Sequence, residues 1–148
     1  MTNVKSLDVP PTVANYDDTL ITNVASTTYL PGSPEVGVTF VAPTSGRVAI
    51  TVGGGMRDNS ANTVRIWMAP QVFAENSSGT EVLAPSVGPR GVGSLHETKE
   101  FMYVSRTSLL SGLTPGNVYY ARIVYAMSSA PASPGTDIQG REIIVGPA

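Results

Sequence analysis

Apolar residues alternate with polar or small residues over several short stretches of this chain. The pattern is clearest at residues 36–40 and 48–52, where valine, isoleucine or phenylalanine occupies every second position. Turn-forming glycine and proline interrupt it at short intervals, as at residues 31–34 and 43–46. A two-residue period is typical of strands that are buried on one face, and frequent turns are typical of chains of hairpins. The alternation therefore predicts an all-β fold.

Strand candidates cover most of the chain beyond residue 18. No stretch of ten or more residues has the apolar period and caps of a helix, so we expect none. Eight or nine short antiparallel strands predict a jelly-roll sandwich. Glycines 53–55 are expected to end one strand, and Pro70 is expected to limit another. The main predicted strands are residues 20–28, 36–40, 48–52, 64–68, 98–110, 118–127 and 141–145.

The chain of 148 residues suits one domain, which we place at residues 19–148. Residues 1–18 are predicted to form an N-terminal arm, because Pro10 and Pro11 exclude regular helix there. This arm is either a frayed terminus or a tether that binds a neighbouring subunit or a particle surface. In the second interpretation the apolar residues of the arm anchor the protein to a particle. These anchor candidates are Val4, Leu7, Val9, Val13 and Tyr16.

Composition and charge exclude several classes of function. The formal net charge is −2 and the few basic residues are scattered, so we expect no nucleic acid partner. The chain contains no cysteine, which excludes disulfides, thiol catalysis and cysteine-based zinc sites. No apolar run approaches the about 20 residues that span a bilayer, so we expect no membrane partner. The N-terminus lacks the apolar core of a signal peptide, so we expect a protein made in a cytosol and not exported by the usual route.

Candidate catalytic and metal-binding residues are few and isolated. His96 is the only histidine and has no nucleophile motif beside it, so we interpret it as a surface residue. Asp17 and Asp18 lack the oxygen-rich spacing of a calcium loop. Glu97 and Glu100 are three residues apart, which places them on opposite faces of a strand. We therefore predict no catalytic residue, no metal site and no cofactor, and expect that the chain is not an enzyme.

The aromatic residues are the remaining candidates for function. Core packing is one interpretation, and subunit contacts, where tryptophan and tyrosine are enriched, are the other. Trp67 is expected to point outward, because residues 64, 66 and 68 form the opposite, apolar face of its strand. An exposed tryptophan suits either an interface or a sugar platform. The predicted oligomer interface consists of Trp67, Phe101, Tyr103 and Ile143.

Residues 38–50, with the sequence VTFVAPTSGRVAI, resemble a known family. A strand that ends in phenylalanine is followed by proline, two residues, glycine and an alternating apolar strand. This order is similar to the TNF-like jelly roll of tumour necrosis factors and complement globular heads. The later long strand, Pro-Gly turn, aromatic strand and short final strand continue the likeness. The resemblance implies a homotrimer, with apolar and aromatic side chains around its threefold axis, and no catalysis.

The chain also resembles small structural proteins of tailed phages that infect actinobacteria. The likeness covers residues 20–148 and is carried by APTSGRV at 42–48 and REIIV at 141–145. It implies a virion protein assembled in the host cytoplasm, most directly a homotrimeric capsid decoration protein on the head surface. Its partners would be further copies of itself and the major capsid or tail protein. The alternative is a tail-associated receptor- or carbohydrate-binding head, with Trp67 and residues 86–93 contacting a host surface glycan.

A competing resemblance lies at residues 113–119. The sequence LTPGNVY looks like the Leu-x-Pro-Gly-x-x-Tyr segment of fibronectin type III domains. Those domains are shorter than this chain, and the stretch at residues 40–50 has no place in the comparison. The jelly roll is therefore the preferred interpretation.

Overall fold

Nine strands and one helical turn make up the regular structure of the described residues. The computed structural model describes residues 9–60, 62–95 and 99–148. The only helical segment in these ranges, α1, is four residues long, and none of them forms a helix able to cross a bilayer. The elements are β1 (Val13–Asp17), β2 (Gly37–Val41), β3 (Val48–Asp58), β4 (Ile66–Ala74), β5 (Glu81–Leu83), α1 (Val87–Arg90), β6 (Val92–Gly93), β7 (Met102–Leu110), β8 (Val118–Met127) and β9 (Thr136–Pro147).

The strands form two antiparallel sheets packed face to face. The first sheet has the order β1-β9-β3-β7, and the second has the order β2-β8-β4-β5, with β6 paired to β4. The chain crosses from one sheet to the other at most connections, so strands that are neighbours in a sheet are rarely neighbours in sequence. This arrangement confirms the predicted antiparallel jelly-roll sandwich.

The core lies between the sheets and follows the alternation seen in the sequence. Val48, Ile50 and Val52 of β3 point inward and are buried, while the residues between them face outward. Residues 36, 38 and 40 do the same in and beside β2. Each aliphatic side chain buried in this way stabilises the fold by about 1.5–3 kcal/mol. The larger members of the core cluster from the other strands are Met56, Ile66, Met68, Ile123, Met127, Ile138 and Ile143.

Two predicted strand ends are wrong. β3 continues through glycines 53–55 to Asp58, because both β7 and β9 pair with it along this stretch. β4 continues through Pro70 to Ala74. On one edge of β4, the residues before Pro70 pair with β6 and the residues after it pair with β5. No described strand pairs with that edge at Pro70 itself. A proline is tolerated where a strand edge is open, because no ladder hydrogen bond is lost.

The expected strand at residues 20–28 is absent from the described structure. These residues contribute one bridge, Ile21 to Ile138, and two further backbone hydrogen bonds, from the Val24 amide to the Thr136 carbonyl and from the Met127 amide to the Ser26 carbonyl. The Ser26 hydroxyl instead bonds within a local turn to Thr28. β-branched residues without strict alternation are thus poor evidence for a strand here, since the hydroxyls of serine and threonine also stabilise turns.

Other elements also differ from those predicted. β9 is longer than the predicted residues 141–145. β7 begins at Met102 among the described residues, whereas the predicted strand begins at Thr98, which lies outside them. The helical turn α1 is not predicted by the sequence pattern. The candidate residues His96 and Glu97 lie outside the described residues.

The predicted arm does not extend to residue 18. Residues 13–17 form β1, an edge strand of the first sheet that pairs with β9 from Val13↔Val145 to Asp17↔Arg141. Val13 packs against the core cluster, and the amide of Asn15 reaches across to the Gly37 carbonyl of β2. This part of the arm therefore belongs to the sandwich.

Candidate functional site

The outer face of the first sheet, which we call the open face, divides into two halves. Its residues alternate with the buried ones and lie in rows across the four strands. The half nearest the start of β3 is flat and uncharged, and we call it the flat patch. It consists of Ala14, Ala49, Thr51, Thr107, Leu109 and Ile144.

The polar groups of the flat patch are paired with each other. The hydroxyl oxygens of Thr51 and Thr107 lie 2.7 Å apart and share a hydrogen bond. Leu109 beside them is 50% exposed. A flat surface that carries no charge and has paired hydroxyls loses little hydration energy on burial. Such a surface is suited to contact another protein surface.

The second half of the open face contains a cleft of about 300 Å³, which we call the tyrosine cleft. Tyr16 of β1 and Tyr103 of β7 flank it, and the two side chains are 60% and 64% exposed. Ser105 and Glu142 complete its walls, and glycines 53, 54 and 140 form its floor. Two tyrosines from opposite edge strands thus lean over the bare backbone of the two central strands.

The glycines of β3 make this geometry possible. A Cβ atom at Gly55 would lie 2.6 Å from the Tyr103 ring, and one at Gly53 would lie 2.8 Å from Ser105 Cβ. Glycine weakens a strand, so consecutive glycines within one indicate a place where something must approach the backbone closely. At Gly55 the approaching group is the Tyr103 ring, and at Gly53 it is the β7 backbone with Ser105.

A β-bulge at Gly140 sets the direction of the neighbouring side chains. Gly53 pairs with Glu142 but Gly55 pairs with Gln139, so β9 has one extra residue between these pairs. Gly140 has a φ of 63°, the left-handed conformation that glycine adopts without strain. The bulge directs Arg141 into the core and leaves Glu142 on the open face.

The polar groups around the tyrosine cleft have no partner in the described part of the protein. The hydroxyls of Tyr16, Tyr103 and Ser105 and the carboxylate of Glu142 make no hydrogen bond or ion pair with any other described residue. They are therefore available to a ligand.

The outer face of the second sheet is different, because its polar side chains bind one another. Arg122 forms an ion pair of 3.1 Å with Glu35, and the Tyr120 hydroxyl donates to the same carboxylate at 2.7 Å. Arg122 also donates to Gln71, and its guanidinium lies 4.9 Å from the centre of the Phe73 ring. Burial, together with the hydrogen bond to Glu35, raises the pKa of Tyr120 to about 12. This network is typical of a face that remains in water.

The predicted interface residues do not share one surface. Tyr103 lies on the open face, and the Phe101 ring is 6.1 Å from it, under the Arg57 guanidinium. Trp67 points outward as predicted, but on the second sheet, where it is half-buried against Gly93. Ile143 is fully buried in the core, so its placement at an interface was wrong. Ile143 points inward because it pairs with the buried Val52 of β3.

The predicted anchor residues also separate. Val4 and Leu7 lie outside the described residues. Val9 is 56% exposed and lies in a groove with Pro43 and Pro147, at the end of the sandwich where β3 begins. Tyr16 belongs to the tyrosine cleft, far from that groove. Whether any of these residues anchors the protein remains a prediction.

Within residues 9–60, 62–95 and 99–148, no three histidine, cysteine, aspartate or glutamate side chains come together in a way that could hold a metal ion. The Asp17 carboxylate accepts a hydrogen bond from the Thr19 amide and faces Arg141. The absence of catalysis remains a prediction.

Comparison with known proteins shows the fold alone. No protein family model and no curated protein matches the chain. A chain from the structure of infectious bursal disease virus, Gx strain, superposes with a TM-score of 0.55 and 9% identity, over 93% of this chain and 32% of that one. The present chain thus spans about a third of that relative. At this identity the likeness establishes a common sandwich fold and no shared activity.

Two looser superpositions are with Eiger TNF from S. frugiperda and with the cyanophage Pam1 capsid asymmetric unit. The first has a TM-score of 0.48 and 10% identity over 93% of this chain and 94% of that one. The second has a TM-score of 0.36 and 10% identity over 100% of this chain and 92% of that one. Neither is close enough to add to the assignment of the fold.

Proposed function

We propose that this chain is a structural protein of a tailed-phage particle, a homotrimer that decorates the head surface and is anchored through its N-terminal residues. The phage origin rests on the resemblance at residues 42–48 and 141–145. The fold shared with a chain of a virus structure is compatible with it. The protein is then a virion component assembled in the host cytoplasm, with no catalytic role, no cofactor and no nucleic acid or membrane partner.

The observation that supports self-association is the contrast between the two outer faces. On the second sheet, part of the outer face carries the Glu35–Arg122 ion pair and its hydrogen-bonded neighbours, and the apolar residues Ala69, Val124 and Ala126 of that face are already buried. The flat patch has no charged residue, and its two threonines bind each other. Burying an apolar area stabilises an assembly by about 25 cal/mol per Å² before the costs of association. A second copy of the chain is the occupant that a flat, uncharged face fits best.

The position of Val9 supports attachment at one end of the sandwich. Val9 is exposed and lies in a groove with Pro43 and Pro147, at the end where β3 begins. The tyrosine cleft lies farther along the sheet, since Gly54 is six residues beyond Val48 in β3. At about 3.3 Å per residue the separation is about 20 Å. Attachment through the N-terminal residues thus leaves the cleft away from the attached end.

Light scattering tests the trimer. One subunit has a mass of 15.4 kDa, so a trimer has about 46 kDa. Leu109→Glu introduces a charge into the flat patch and is expected to give a monomer, because burying an unpaired carboxylate is costly. Val41→Glu is the matched control, since Val41 is also an exposed apolar residue of an edge strand but lies on the second sheet. A parent protein that is monomeric at every concentration would overturn the proposed trimer.

The alternative function is a tail-associated head that binds a receptor or carbohydrate. The version with Trp67 as platform is weakened by its half-buried ring, which lies against Gly93. Residues 86–93 are largely used internally, because the carbonyls of Gly88 and Gly91 accept hydrogen bonds from Arg106. The open tyrosine cleft is the better candidate for contact with a sugar.

A further inference from the structure

We propose that the tyrosine cleft is a carbohydrate site that binds one neutral pyranose ring. All the residues that line the cleft belong to a single chain, and the cleft lies beside the flat patch and not within it. Because no second subunit is needed to form the cleft, the inference holds for a monomer as well as for the proposed trimer.

The shape of the cleft fits a small ring. Its volume of about 300 Å³ lies at the lower limit of ligand sites in proteins. The floor consists of glycine backbone, so a flat ligand can lie close to the sheet. Tyr16 and Tyr103 offer exposed aromatic rings on two sides. An aromatic face carries partial negative charge and attracts the slightly positive C–H groups of a sugar ring.

The polar groups supply the hydrogen bonds that sugar hydroxyls need. Tyr16, Tyr103 and Ser105 each bring a hydroxyl that donates and accepts, and Glu142 brings an acceptor that forms strong hydrogen bonds. None of these groups is bound to another residue in the described ranges. The site thus combines aromatic surface with several available polar groups in one concave place, the arrangement that fixes a small polar ligand in one orientation.

Charge narrows the ligand class. Among the described residues, Glu142 is the only charged one that lines the cleft. An acidic sugar would be repelled by it, so the proposal is limited to neutral pyranoses. An extended peptide would need free backbone groups at a strand edge, but β3 is paired on both sides along the floor.

The test is a titration of the full chain with simple methyl pyranosides of glucose, galactose, mannose and N-acetylglucosamine, followed by two-dimensional amide NMR. At least one sugar is expected to shift the amide signals of glycines 53–55 and Gly140 in a saturable way at millimolar concentrations. Tyr103→Ala and Tyr16→Ala are each expected to weaken binding about tenfold, and Glu142→Gln severalfold, by loss of stacking and of charged hydrogen bonds.

Matched variants show whether the sugar binds in the cleft or elsewhere on the protein. Leu109→Ala changes an exposed residue of the same strand outside the cleft and is expected to leave binding unchanged, as is Trp67→Phe. The inference is overturned if no pyranoside shifts the glycine signals, if Tyr103→Ala binds the sugar as tightly as the parent protein, or if choline chloride produces the shifts and the sugars do not. The last result would identify the cleft as a site for organic cations. Repeating the titration with Leu109→Glu separates sugar binding from assembly.

Discussion

The guanidinium of Arg141 lies 3.7 Å from the carboxylate of Asp17, and this contact joins the buried interior to an edge strand. Arg141 has no exposed surface, and its two terminal nitrogens donate to the carbonyls of Pro31 and Pro34 at 2.8 and 2.7 Å. Burial lowers its pKa, while Asp17 acts in the opposite direction. One side chain thus connects β9, β1 and the loop before β2.

Arg141→Met is expected to destabilise the fold by about 3 kcal/mol, because two partly buried hydrogen bonds from a charged donor are lost together with the contact to Asp17. Urea unfolding followed by tryptophan fluorescence measures the change. Asp17→Asn is the comparison, since it retains both hydrogen bonds to the prolines, and the partly exposed Asp17 is expected to matter less. An Arg141→Met protein as stable as the parent would show that the methionine packs well enough to replace the polar network.

The free energy of unfolding is expected to fall as the pH rises from about 10 to 12, the range between the usual tyrosine pKa and that of Tyr120. Folding raises the pKa of Tyr120, so the folded state keeps a proton that the unfolded state has lost. The contribution of Tyr120 to the free energy of unfolding is therefore fully present below the pKa that this tyrosine has in the unfolded state. It declines as the pH rises toward the pKa that Tyr120 has in the folded state.

Urea unfolding at a series of alkaline pH values measures this slope. Tyr120→Phe is expected to reduce it, and Glu35→Gln to reduce it in part, because the hydrogen bond to Glu35 contributes to the raised pKa. Tyr29 and Tyr125, whose pKa values burial also raises, account for the remaining slope. An unchanged slope in Tyr120→Phe would contradict the assignment.

Neighbouring glycines of β3 are expected to respond differently to substitution. A side chain at Gly54 points into the core, where its Cβ would lie 3.0 Å from Met68. Gly54→Val is therefore expected to cost about 1–3 kcal/mol through overpacking. A Cβ at Gly55 would meet the exposed Tyr103 ring, which can swing into solvent. Gly55→Ala should thus cost under about 1 kcal/mol while displacing Tyr103, and equal losses for both variants would contradict this division of the strand.

Local sequence patterns predict the core strands but not the candidate site. Strict alternation at 36–40 and 48–52 is reliable because these strands are buried on one face only. Alternation does not predict that β4 continues through Pro70, where the gap between β5 and β6 leaves the strand edge open and so permits a proline. Tyr16, Tyr103 and Glu142 meet because β1, β7 and β9 belong to one sheet, and strand order is not encoded locally. The one local signal is the run of glycines within β3, which by itself predicts a strand end.

The bulge glycine offers a final test that separates backbone strain from effects on the cleft. Gly140 and Gly112 have φ values of 63° and 81°, so alanine at either position is strained. Each substitution is expected to lower the free energy of unfolding by about 1 kcal/mol. This loss is the cost of a left-handed conformation for alanine, reduced by the gain from a less flexible unfolded chain. A Cβ at Gly140 would lie 3.4 Å from the Tyr103 ring and 3.8 Å from the Tyr16 hydroxyl, whereas one at Gly112 would meet no described atom within 4 Å. Only Gly140→Ala should therefore narrow the tyrosine cleft and weaken pyranoside binding in the NMR titration. Equal binding by the two variants would place the sugar away from the bulge.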